Sequence, residues 1–71
     1  MQTIYQNKAW TISILQGNKE IFISNGNEGF FGYPFPSQNK IYYDRINFPK
    51  YIGKKAIQLV KKYKIESIYE Q

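Results

Sequence analysis

Six lysines, Lys50, Lys54, Lys55, Lys61, Lys62 and Lys64, crowd the stretch 50–64, and no Asp or Glu lies between Arg45 and Glu66. Like charges at i,i+4 on a helix repel by about 0.2–0.5 kcal/mol a pair, and an anionic partner relieves that cost. The chemistry such a cluster offers is electrostatic. Neutralising phosphates releases counterions and gives affinity for nucleic acid without any sequence motif. An acidic protein surface is the second partner class that fits, and a membrane surface is the third and weakest, because the sheet would use up the apolar face of the helix. The net charge of +5 is concentrated here: residues 50–64 carry +6, residues 1–49 carry +1 and the remaining tail carries −2. The plain alternative is that these lysines are solvated surface in a chain rich in Lys, Asn and Ile.

A second group of residues could recognise a partner. Phe30, Phe31, Tyr33 and Phe35 fall within six residues, interrupted by Gly32 and Pro34 and followed by Pro36. Exposed rings stack unpaired bases, at roughly 1–3 kcal/mol per base. Rings are also enriched at the centres of protein interfaces. A marginally stable domain gains from self-association, so a homodimer is compatible with this pattern. The alternative is that some of these rings close the end of a small core while the prolines stiffen the loop.

Catalytic chemistry is poorly provided for. The chain has no His and no Cys, which removes the commonest general base, the commonest metal ligand and thiolate sites. The acids Glu20, Glu28, Asp44, Glu66 and Glu70 are scattered singly. Asp44 and Arg45 are neighbours, but adjacent strand residues point to opposite faces, and a solvated or cross-strand ion pair explains them. The glycines of Gly26-x-x-Gly29-x-x-Gly32 match no phosphate-binding loop and precede no helix. A non-catalytic protein without metal or cofactor is expected.

The elements that must position these groups follow from periodicity. Ile52, Ala56, Leu59, Val60 and Tyr63 fall at i, i+4, i+7, i+8 and i+11, one apolar stripe of a helix within 48–64. Pro49 suits the first helical position and Asn47 the cap before it. Upstream, residues 9–15 alternate, with Trp10, Ile12 and Ile14 on one side and Thr11 and Ser13 on the other. Gly17 and Asn18 suit a turn with positive φ, and residues 20–24 return as the second strand of a hairpin. Residues 3–6 start a further short strand. Residues 41–46 form another, with Ile41, Tyr43 and Arg45 facing one way. Residues 30–36 read as a loop, because Pro34 and Pro36 cannot donate to a ladder. After the helix, Ile65, Ser67 and Tyr69 alternate against Glu66, Ile68 and Glu70, which allows a last short strand.

The expected fold is a single α+β domain over residues 1–71. It has a small antiparallel sheet of three to four strands, with one C-terminal amphipathic helix packed on one face. A chain this short buries only about 60% of its unfolded surface. No apolar run approaches the roughly 20 residues needed to span a bilayer, and the start of the chain lacks a signal-peptide pattern. A cytoplasmic location with no membrane partner is expected.

The first functional expectation is a small basic nucleic-acid-binding module. Lys50, Lys54, Lys61 and Lys64 would meet phosphates, Lys40 and Arg45 would extend the contact, and Phe31, Tyr33 and Phe35 would form an adjacent aromatic lip. The second is a protein–protein module, either a self-associating accessory protein or a small phage-type inhibitor of a host protein.

Overall fold

Alternating apolar residues make the sheet. A computed structural model describes residues 1–15 and 17–67, in which five strands precede one helix. They are β1 (Gln2–Gln6), β2 (Thr11–Leu15), β3 (Glu20–Ser24), β4 (Gly29–Phe35), β5 (Lys40–Tyr43) and α1 (Lys50–Lys62). The strands form an antiparallel meander in the order β1-β2-β3-β4-β5. The α+β architecture with a C-terminal helix is as expected, but the sheet has five strands rather than three or four. The extra strand is β4, over the residues expected to form a loop.

The reason β4 tolerates Pro34 lies in which way its nitrogen faces. Phe31 is bonded toward β5: its carbonyl accepts from the Asp44 N–H at 2.9 Å, and its own N–H donates to Asp44 Oδ1 at 3.0 Å. Backbone groups of successive strand residues point to alternate sides, so Pro34 faces the β3 side. The last β3–β4 pair is Ile21 with Gly32, so β3 has already ended beside Pro34. The missing N–H removes no ladder bond, and Pro34 still pairs with Ile41 on the other side.

The β2–β3 hairpin is paired in a continuous register, from Thr11 with Ser24 to Leu15 with Glu20. Its turn places Gly17 at φ +60° and Asn18 at φ +69°, the left-handed region that favours these two residue types. Asn7 shapes the β1–β2 turn, its Oδ1 accepting from the N–H groups of Ala9 and Trp10 at 2.8 and 2.7 Å.

One face of the sheet is apolar and α1 covers it. Ile12, Ile14, Ile21, Ile23 and Phe30 pack with Ile52, Ala56, Leu59 and Val60 in one cluster. The linker after β5 is fastened by Phe48, whose ring meets Trp10, Phe30 and Tyr43 edge-on at centroid distances of 6.4, 5.4 and 5.0 Å. The helix start differs from expectation. Pro49 takes the cap position with extended backbone (φ −60°, ψ 148°), and no side chain caps the helix. Asn47 is therefore not the cap; the Pro49 carbonyl accepts from Ile52 and Gly53 instead.

The helix ends by reversing. The Ile65 N–H donates to the Val60 carbonyl and the Lys64 N–H to that of Lys61, with Lys64 at φ +53°. This is the Schellman arrangement, normally closed by glycine. It returns Ile65 to the core, fully buried, and Glu66 N–H then bonds the Asn18 carbonyl at the β2–β3 turn. Residues 65–67 form no strand. The rest of the expected tail strand, residues 68 and 69, lies outside the described residues.

Tyr43 faces the core, and burial pushes its phenol up to about 12. Its hydroxyl makes no hydrogen bond among the described residues. A group whose folded pKa is raised stabilises the fold fully below its unfolded value, near 10, and that contribution is lost as the pH rises through about 12. In an alkaline titration of tyrosinate absorbance, one of the seven tyrosines will ionise late. Tyr43→Phe will remove that late step and leave thermal stability unchanged or raised by about 1 kcal/mol. Loss of an early-titrating tyrosine instead would contradict the placement.

Candidate nucleic-acid interface

Helical spacing sets the lysine face. At about 100° per residue, Lys50, Lys54 and Lys61 project within about 40° of one another. They lie opposite the buried Ile52, Ala56 and Leu59, and all three are exposed. None forms an ion pair among the described residues, where the one salt bridge is Lys19 with Glu66 at 3.2 Å. Lys55 leans to the β1 side, its ammonium 5.1 Å from the centre of the Tyr5 ring. Tyr51 reaches the same side, where its hydroxyl accepts from the Asn7 amide at 3.4 Å.

Along the opposite flank the cations continue to the sheet. Lys40 and Lys61 flank a crevice closed even to water, with Ile41, Ile57 and Val60, at the seam between β5 and α1. Lys61 and Lys64 line a second, open groove beside Val60 and Ile65. Lys64, Lys61 and Lys40 therefore follow one another along this edge. Glu66 borders the second groove, but its carboxylate is drawn to Lys19. Arg45 is placed differently: its guanidinium lies 5.2 Å from the Phe30 ring centre, and Nη2 donates to the Gly29 carbonyl at 3.5 Å. It sits beyond the other end of β5 from Lys40.

Lys64 holds its position at a cost. A side chain in the left-handed region is disfavoured by about 1–2 kcal/mol relative to the right-handed helical one, and glycine escapes this. Lys64→Gly will raise stability by about 1 kcal/mol. A variant that is no more stable than the parent would contradict the helix end described here.

The aromatic residues occupy the other face of the sheet. Register requires it: Phe22 pairs with Phe31, Tyr33 with Tyr42 and Phe35 with Lys40, all alternating with the core-facing residues. Phe31, Tyr33 and Phe35 thus share a face, as a lip would need. They are joined by two rings that sequence reading did not assign to it, Phe22 and Tyr42. Phe22 and Phe31 are 4.8 Å apart between centroids, and Phe35 meets Tyr42 edge-on, also at 4.8 Å. Phe31 is 41% and Tyr42 49% exposed. The Lys40 ammonium sits 4.6 Å from the Tyr42 ring centre. Gly29 makes room for the Phe22 ring, because a Cβ there would come within 2.3 Å of it.

The structure does not merge the lysine face and the aromatic lip into one patch. The sheet lies between them, and they meet only at the β5 edge, where Lys40 belongs to both. The side chains of Asp44 and Arg45 form no salt bridge with each other among the described residues. Asp44 Oδ1 accepts from the Phe31 and Arg45 N–H groups at 3.0 and 2.9 Å, closing the end of β5 in place of the ion pair expected. Among the described residues no group of three or more His, Cys, Asp or Glu converges on a possible metal site. No described helix is long and apolar enough to cross a membrane. No protein-family model, curated protein or solved structure matches the chain.

Proposed function

We propose that this chain is a small non-catalytic binding module whose partner is nucleic acid, held through phosphate contacts on the outer side of α1. One observation carries the reading: Lys50, Lys54 and Lys61 are exposed together with no acid paired to them among the described residues. Three ammonium groups on one helical face repel one another in the free protein. A phosphate backbone exchanges that repulsion for attraction and releases its condensed ions. Lys64 and Lys40 lengthen the contact toward the sheet edge.

The competing reading is a protein-binding module, and the exposure of Phe31 and Tyr42 favours it. The two separate by salt. Fluorescence anisotropy of labelled DNA and RNA, titrated with the protein at about 50 and 200 mM salt, will show binding. About five to six phosphate contacts correspond to a loss of affinity near 10³-fold over that range. No binding at the lower salt would overturn the reading.

A further inference from the structure

We infer that the outer face of the sheet is a base-stacking platform, and that the preferred ligand is a single strand led over the β5 edge from the lysine face. The inference rests on the nucleic-acid reading above and names its substrate class.

Three observations combine. The first is the ring ladder itself. Phe22, Phe31 and Tyr42 stand on three consecutive strands of one face, and Phe31 and Tyr42 are exposed. Flat rings on a sheet accept unpaired bases of any sequence, whereas paired bases in a duplex keep their faces covered.

The second is the charge around the rings. The one acid within the strands, Glu20, lies on this face but is only 3% exposed, and the exposed Glu28 borders Phe22 at the β3–β4 turn. Lys40 stands over Tyr42 at one end of the ladder, and Asp44 holds the Phe31 N–H at the other. At the Asp44 end the neighbouring Arg45 guanidinium is engaged with the Gly29 carbonyl and the Phe30 ring, so Lys40 is the cation that stands over the outer rings. The backbone of a bound strand enters beside Lys40 and its bases run toward Phe31.

The third is continuity. Lys61 borders both the open groove beside Lys64 and the closed crevice beside Lys40, so the three cations follow one another from the end of α1 to β5. A flexible strand can follow them from the helix round the edge of the sheet. A stiff duplex, unable to turn that edge, engages the helix face alone.

The test measures the affinities of labelled oligothymidylate and of a labelled duplex of matched length for the full chain and its variants. Each protein's size in solution is recorded by sedimentation and its fold by far-UV circular dichroism. Phe31→Leu and Tyr42→Leu each remove a ring at an exposed position and keep apolar bulk. Each is expected to lower single-strand affinity about tenfold and leave duplex affinity unchanged. Tyr42→Phe, which keeps the ring, is expected to retain single-strand affinity. Lys54→Glu with Lys61→Glu will weaken both ligands.

If the ring variants keep full single-strand affinity while the lysine variant loses both, the platform is overturned and the phosphate reading stands. If the lysine variant binds both ligands as the parent does, the phosphate reading itself fails. If the parent is a dimer that the ring variants dissociate, the outer face is a protein contact and the platform is overturned.

Discussion

Phe30→Ala will leave the protein at the edge of unfolding at 25 °C. Phe30 is fully buried, paired with Ile23 across β3–β4, and its ring meets Phe48. Removing a buried Phe ring costs about 3–5 kcal/mol in lost transfer energy and residual cavity. A domain of this length has about 4–10 kcal/mol in total. The damage spreads, because Phe48 also contacts Trp10 and Tyr43 and holds the linker that launches α1. The neighbouring Phe31→Ala makes the comparison sharp. Phe31 is on the other face and 41% exposed, so its loss costs about 1 kcal/mol. Urea melts followed by far-UV circular dichroism will separate the two by several kcal/mol. Equal midpoints would show that the two faces of β4 have been assigned the wrong way round.

Lys54→Glu with Lys61→Glu will lower affinity for nucleic acid about 100-fold or more at about 50 mM salt. Two phosphate contacts become two repulsions, and each tenfold step corresponds to about 1.4 kcal/mol. Both positions are exposed on α1, away from the buried stripe, so the fold survives the change. Stability should change by no more than about 1 kcal/mol, because the new attraction between Lys50 and an acid at position 54 is offset by an acid in the last turn of α1, where Lys61 sits. Loss of binding with a thermal midpoint close to the parent's is the expected pair of results. Unchanged affinity would exclude this face as the site.

Much of the fold is legible in the chain because its signals are local. The stripe from Ile52 to Val60 fixes α1, and alternation about Ile12 and Ile14 fixes β2. Gly17 and Asn18 mark the turn with the positive φ they adopt. What escaped depends on pairing. Whether Pro34 breaks a strand depends on where β3 stops beside it, and Pro34 itself cannot report that. A helix start capped by a proline's extended backbone leaves no side-chain signature, whereas Asn47 is of a residue type that commonly caps helices. In the candidate site, the lysine side of α1 is readable from the 3.6 period alone. The aromatic face is half readable. Phe31, Tyr33 and Phe35 alternate, but Phe22 and Tyr42 join them only through the registers of β3 and β5. That the two groups lie on opposite sides of the sheet, meeting at Lys40, is a property of the whole topology.

The central claim is that α1 binds phosphate through its outward lysines, and the salt dependence of binding tests it most directly. The quantity to measure is the slope of log affinity against log salt for a labelled duplex, in the parent and in Lys54→Gln with Lys61→Gln. Each phosphate contact contributes about −0.9 to that slope. The parent should give a steep negative slope, and the double variant should be shallower by about 2. A parent slope near zero, or a variant slope equal to the parent's, would contradict the phosphate reading and move the search for a partner to the aromatic face.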